Sequence, residues 1–508
     1  MVAVVIDQLP SWALDRYLST LSPDGALRRG IAQGVFFARS RYPYAGTLTA
    51  PGHATLATGA LPSKHGVLAN EVWDRLREKS VSVVDDGKSA VLGSDGVFAS
   101  PTVVRSRTVA DALESETSGA ARTVSLSYKD RASVISGGQK PDLALWYDAK
   151  RGEFTSSAHY GAQLPEWFLQ FRARRPVREA FSVWQPENAK QLAALLGPDA
   201  KPGEGNWLGL GAVFPHDLSR SPEPASAFRA TPASTEYLLD LARETVRVLE
   251  LGKDEVPDLL HLSISGTDYV GHVFGPESWE YVDNLQRVDR LLGTFLDELS
   301  RTTPISVLIT SDHGVPPVIE SSQALGKRAR RIVPAELVKA LNAALGARFA
   351  LPKPAVASYT LPFVYLSTEA RASAQKAQIV SAVLAELRKT DGVFAARSVA
   401  ADDGSAKLDP ELDRQIQASL GSDSTGDIFV VPTEYSMVDA CLPCGSGTNH
   451  GSPWSYDQYV PLLFWGPGIS ARNDGAVVDQ TRVAATLSAL LGIAPPSDAE
   501  PSKLPGSP

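Results

Sequence analysis

Cysteine is almost absent. Among 508 residues there are two, Cys441 and Cys444, in "CLPCGSG". A tetrahedral structural zinc site needs four ligands, so this lone CxxC cannot build one by itself. Two readings of the pair stay open: a local disulfide in an oxidising compartment, or two free thiols. Long apolar runs are missing too, and nothing approaches the roughly 18 residues of a membrane span. Positive charge is in deficit, with 49 Lys and Arg against 57 Asp and Glu and a formal net charge of −8. That balance argues against nucleic acid or an anionic membrane as partner, because both demand clustered cations. A small phosphorylated substrate is not excluded, since a local cationic pocket can sit on an acidic body. The opening "MVAVVIDQLP" is too short for a secretion leader and reads at once as a strand. The chain is therefore expected to be cytoplasmic or to have lost a leader.

What is present is the composition of a globular protein, 43% hydrophobic and 21% charged. Several strand-length apolar runs end in polar residues. "VAVVID" ends at Asp7, "DLLHLSISGTD" at Asp268, and "ISVLITSDHG" runs into Asp312 and His313; "YVPLLFWGPG" is a fourth. Continuous apolar runs suit strands buried on both faces of a parallel sheet. Between them, "STEYLLDLARETVRVLELG" and "ESWEYVDNLQRVDRLLGTFLDELS" have helical periodicity, the second placing Leu285, Val288, Leu292 and Phe295 on one face. The alternation predicts an α/β fold, a doubly wound and mainly parallel sheet sandwiched by helices. A discontinuous core is expected over 1–136, 231–320 and 441–495. The Trp-, Pro- and Arg-rich stretch 137–230 reads as a first inserted cap, 321–440 as a second, and the Pro/Ser-rich tail 496–508 as disordered. "GKRARR", inside the second insertion, reads as a solvated loop.

In doubly wound sheets, ligands bind beyond the carboxyl ends of the strands. Asp7, Asp268 and Asp312 fall there. His272 follows Asp268 by four in "DYVGH", His313 follows Asp312 directly, and His450 lies in "GTNHGSPWSYD" before the last strand. Three Asp and three His on strand-end loops form a metal-ligand inventory of oxygen and nitrogen donors that suits zinc, sufficient for two ions. His53, His65, His159, His216 and His261 read as structural or surface residues. Thr49, in "TLTAPGHATLATG", has two compatible readings: a helix N-cap, or a nucleophile helped by a neighbouring metal and by the positive end of a helix dipole.

The segment "TLTAPGHATLATGALPSKHGVLANEVWDR" closely resembles the nucleophile segment of the alkaline phosphatase superfamily, in its phosphodiesterase/nucleotide pyrophosphatase-like branch. "VVID", "DYVGH", "SDHG" and "TNHG" match that branch's metal motifs in the expected order. The resemblance implies two zinc ions, one held by Asp268, His272 and His450, the other by Asp7, Asp312 and His313, with Thr49 as nucleophile and fourth ligand. It also implies that Asn70 hydrogen-bonds a phosphoryl oxygen. A further structural Ca²⁺ or Mg²⁺ stays open.

Lys129 and Arg131, in "SLSYKDRASVISGG", are two residues apart. On an extended segment both would point the same way, and together they would offset the extra negative oxygen of a monoester. This K-D-R resembles that of the phosphate-irrepressible alkaline phosphatases, which implies a phosphomonoesterase working through a phosphothreonine with an alkaline optimum. The alternative is a phosphodiesterase or nucleotide pyrophosphatase of the same superfamily. Thr-Ala-Pro-Gly-His in the nucleophile slot speaks against a sulfatase. The resemblance, with the CxxC, implies a periplasmic or secreted location, and the chain is expected to act as a monomer on small phosphorylated substrates.

Overall fold

A computed structural model describes residues 1–400, 408–421, 426–439 and 445–508; Cys441 and Cys444, with the two readings of their pairing, lie outside the described residues. Ten strands form the main sheet: β1 (Val2–Ile6), β2 (Val35–Arg41), β3 (Thr123–Ser127), β4 (Leu143–Asp148), β5 (Glu153–Thr155), β6 (Leu259–Ile264), β7 (Val307–Thr310), β8 (Tyr459–Trp465), β9 (Arg472–Asp474) and β10 (Val478–Asp479). Their spatial order is β9-β2-β8-β7-β1-β6-β3-β4-β5, with β10 beside β2. The central five, β7, β1, β6, β3 and β4, are parallel. The run "YVPLLFW" forms β8, antiparallel to both β7 and β2.

Period-2 alternation explains why the central strands are apolar throughout. Val2, Val4 and Ile6 of β1 join the core under helices Pro232–Val248 and Trp279–Ser300. Ala3 and Val5 face the opposite layer, with Val109, Leu113, Val483 and Leu487. Helices thus cover both faces, as the sequence pattern predicts. In helix Trp279–Ser300 the stripe Leu285, Val288, Leu292 and Phe295 is fully buried.

Three expectations are corrected. The first insertion boundary at 137 falls inside the sheet, because β4 and β5 extend it. Averaged over the Trp- and Arg-rich stretch, composition hides the short buried strand "LALWYD". The tail 496–508 is packed rather than disordered. Leu504 is 1% exposed among Val35, Phe37 and Leu487, and its N–H donates to Thr486 Oγ1 at 2.9 Å. One anchoring leucine outweighs a Pro/Ser-rich composition. Within "GKRARR", Lys327 and Arg328 are exposed, but Arg331 is half-buried and paired with Glu320 at 2.9 Å. The stretch 321–440 carries its own four-stranded antiparallel sheet, Val356–Thr360, Phe363–Leu366, Ile428–Pro432 and Val393–Ser398 in that order, with its own apolar core. None of the helices in the described residues is long and apolar enough to cross a membrane.

Candidate active site

Four neighbouring strand ends deliver charged groups to one place. β1 leads to Asp7, β7 to Asp312 and His313, and β3 to Lys129. β6 leads to α3 (Gly266–Phe274), which carries Asp268 and His272 on one face at i and i+4. All six of these side chains, and His450, are buried. Burial of so many ionisable groups is costly unless each is paired, and the partners show how it is managed. Lys129 Nζ lies 2.7 Å from Asp7 Oδ2 and 2.6 Å from Asp268 Oδ2. Asp268 Oδ1 is 3.1 Å from His272 Nε2 and 3.7 Å from His450 Nε2. His313 Nε2 is 3.4 Å from Asp7 Oδ1 and 3.5 Å from Asp312 Oδ2.

The three histidines share one arrangement. His272 Nδ1 meets the Thr448 carbonyl at 2.8 Å, His450 Nδ1 the Thr47 carbonyl at 2.9 Å, and His313 Nδ1 the Gly314 carbonyl at 3.0 Å. A carbonyl only accepts, so each Nδ1 carries a proton and each Nε2 faces the carboxylates. That is how metal-ligating histidines are oriented. Asp312 Oδ2 is buried with no hydrogen-bond partner, and Asp7 is met by ion pairing rather than by a hydrogen bond. Two groups of three donor atoms lie within 4.8 Å of one another: Asp268, His313 and His450, and Asp7, His53 and Asp312. Orphaned carboxylate oxygens, oriented imidazoles and a mixed O/N donor set fit bound metal ions. The tight groups divide the donors differently from the sequence expectation. The His313 ring stacks on His450 with centroids 3.4 Å apart, and His53, read as a structural or surface residue, sits 3.7 Å from Asp312 Oδ2.

Charge crowding perturbs these groups. Burial pushes the Asp312 carboxyl up to about 7, and the Asp7 charge adds to the effect. Burial opposes charge on His313, but Asp312 and Asp7 outweigh it and raise His313 to about 9. Burial, then the facing His313 and His272, hold His450 well below the usual range. Lys129 stays charged because Asp268 and Asp7 overcome its burial.

Thr49 opens α1 (Thr49–Thr58), whose ten residues are all buried. It is the first helical residue and not the N-cap. Leu48 holds the cap position in extended conformation, and its carbonyl accepts the Gly52 N–H at 2.9 Å. An N–H left without an intrahelical acceptor at the helix start is met from outside, Ala50 N–H donating to Asn70 Oδ1 at 2.8 Å. The Thr49 hydroxyl is thereby free to face the cluster, 3.2 Å from Lys129 Nζ and 3.3 Å from His313 Nε2. Lys129 and Arg131 do not share an extended segment. Lys129 is the extended cap of α2 (Asp130–Gly137) and Arg131 lies in its first turn. Arg131 still acts on Lys129, disfavouring its charge less than Asp268 and Asp7 favour it. Arg131 Nε is buried without a partner.

One further group had no signal in the chain. Gln8, fully buried, directly follows Asp7 with a left-handed backbone at φ 61°. Its Nε2 donates to Asp268 Oδ1 at 2.8 Å.

Residues 1–451 match the family described as type I phosphodiesterase / nucleotide pyrophosphatase. The chain belongs to that family. This phosphodiesterase/nucleotide pyrophosphatase family member is 29% identical to alkaline phosphatase PhoV of Synechococcus elongatus, over 98% of this chain and 90% of the relative. It is also 29% identical to alkaline phosphatase PafA of Elizabethkingia meningoseptica, over 98% and 92%. The crystal structure of wild-type PafA matches with TM-score 0.89 at 27% identity, over 100% of this chain and 98% of that one. Murine ectonucleotide pyrophosphatase / phosphodiesterase 5, at 15% identity and TM-score 0.52 over 97% and 95%, shares the fold.

Proposed function

We propose that this chain is a zinc-dependent alkaline phosphatase that hydrolyses phosphate monoesters through a phosphothreonine on Thr49. The observation that carries the reading is the Thr49 hydroxyl, buried at the start of α1 and within 3.3 Å of both Lys129 and His313. The relatives named alkaline phosphatases, which match almost the whole chain, support it. So does a PafA variant structure whose four replaced residues are a threonine, an asparagine, a lysine and an arginine, the residue types of Thr49, Asn70, Lys129 and Arg131.

Asp268, His272 and His450 would hold one zinc ion, and Asp7, Asp312, His313 and Thr49 the other. Bound there, the pair lowers the pKa of the nucleophile and offsets charge on the attacking and leaving oxygens. Thr49 Oγ attacks phosphorus, the phosphorus–oxygen bond to the alcohol breaks, and the phosphoryl group is left on Thr49. The departing alkoxide takes up a proton from solvent. Water then attacks the same phosphorus, the bond from Thr49 Oγ to phosphorus breaks, one proton of that water returns to Thr49, and orthophosphate departs. Lys129 donates to Thr49 Oγ1 and so favours the alkoxide. The α1 N-terminus favours the anion throughout. Asn70 has Oδ1 committed to Ala50 N–H, which leaves its Nδ2 protons for a phosphoryl oxygen. Lys129 and Arg131 act on the additional negative oxygen of a monoester. The reading includes a periplasmic or secreted location, on the family resemblance.

Thr49→Ala is the test. It should lose nearly all turnover of an aryl phosphate while still binding zinc through the carboxylates and imidazoles, and a chelator should silence the wild type with zinc restoring it. Normal turnover by the variant would end the nucleophile role.

A further inference from the structure

Gln8 sits where three metal-donor carboxylates meet, and it touches two of them. It leaves the end of β1, the strand between β6 and β7. Its side-chain Nε2 donates to Asp268 Oδ1, beyond β6, at 2.8 Å. Its backbone N–H donates to Asp312 Oδ1, beyond β7, at 3.3 Å. It is bonded to Asp7, so one residue links all three carboxylates.

The chain holds Gln8 there against its own preference. A glutamine at φ 61° is strained, and such strain persists when the surroundings fix it, most often at functional sites. Tyr281 Oη–H donates to the Gln8 carbonyl at 3.0 Å. Helix α3 makes room for the amide at Gly271, where a Cβ would stand 1.9 Å from Gln8 Oε1. Glycine costs helix stability at a buried mid-helix position, and here it admits the amide directly beside His272.

We infer that Gln8 is a positioning residue: it fixes the orientation of Asp268 and its separation from Asp312, and so sets how tightly the centre binds its metal ions. A ligating carboxylate is itself held by hydrogen bonds, and removing such a support weakens metal binding by about 10- to 100-fold. The inference rests on the metal-dependent reading above and adds a residue with no ligand role to it.

The strain makes the role separable from simple structural support. Gln8→Gly deletes the amide and relieves the left-handed backbone. The metal-free variant should therefore melt no lower than the metal-free wild type, while its zinc affinity, measured by competition with a chelator, falls about 10- to 100-fold. Gly271→Ala, which expels the amide from the other side, should lower zinc affinity in the same range. Wild-type zinc affinity in either folded variant would overturn the inference, as would a Gln8→Gly protein that melts well below the wild type without metal. If the wild type itself binds no zinc in this assay, the metal-dependent reading fails instead.

Discussion

Gly52→Ala tests how closely α1, which carries the proposed nucleophile Thr49, is fitted to the centre. A Cβ at Gly52 would lie 2.3 Å from the Asp312 carbonyl oxygen and 2.9 Å from Asp312 Cβ. Both neighbours are backbone or bonded to it, so no flexible side chain can swing away. Restoring an ordinary contact near 3.4 Å requires α1 and the Asp312 loop to part by about 1.1 Å. All ten residues of α1 are buried, so that movement has nowhere to dissipate, and overpacking of this kind costs about 1–3 kcal/mol. Thr49 is three residues away on the same rigid turn. A displacement of about 1 Å at a reacting group costs on the order of 10²-fold. Steady-state kcat/KM on an aryl phosphate should therefore fall about 100-fold, with a modest drop in melting temperature. Gly475→Ala serves as the control, because a Cβ there meets nothing within 4 Å. Wild-type kcat/KM in Gly52→Ala, at matched metal content, would refute the idea that α1 and Asp312 are in register.

Replacing both Lys129 and Arg131 by Ala should lower monoester hydrolysis by about 10²–10³-fold, the scale of lost oxyanion donors, and bis-aryl phosphate hydrolysis far less; an equal loss on both would leave the monoester preference unexplained. Asp289 supplies a pH test away from the centre. Burial pushes its carboxyl up to about 6, against the 3.8 of an exposed aspartate. The folded chain therefore holds that proton more tightly than the unfolded one, and stability from this group is lost as pH rises from about 4 through 6. Asp289→Asn retains an acceptor for the Leu27 N–H, now bound at 2.7 Å, and should gain about 3 kcal/mol over the wild type between pH 4 and pH 8. Denaturant midpoints across that range check it, and a constant gap between the two proteins would contradict it.

The parts of this centre legible in the chain share one property: their signal is local. Asp7 and Asp312 each end a buried apolar run, and Asp268 and His272 are spaced by one helical turn, so a short window suffices to single them out. What was missed depends on distant partners. Gln8 makes its contacts with residues 260 and 304 positions away, and its left-handed backbone leaves no mark on a glutamine's neighbours in sequence. His53 lies one helical turn beyond Thr49, yet its approach to Asp312 exists because Gly52 lets α1 settle on that loop. Lys129 and Arg131 were recognised as a pair on the assumption of an extended segment, whereas a helix begins between them. From the cap position Lys129 reaches Asp7, Asp268 and Thr49, and Arg131 in the first turn acts on the Lys129 charge.

The same distinction governs the outer layers. Composition averages over many residues, so it sees the character of a region and not the single contact that decides its fate. "LALWYD" is a central parallel strand inside a stretch that reads as a cap, and Leu504 pins a tail that reads as disordered. Asn70 joins the two scales. Its Oδ1 caps α1, and it is followed at once by a hairpin, Glu71–Asp74 with Lys79–Ser82. That hairpin is held to the second insertion by Arg75 on Asp427 at 3.1 Å and by Ser80 on Thr360 at 2.8 Å. The insertion is therefore coupled to the N-terminal end of α1 through the Asn70–Ala50 bond and through two hairpin contacts whose partners lie hundreds of residues away. A sequence motif at Asn70 identifies the residue, but its aim is set by packing that no local pattern encodes.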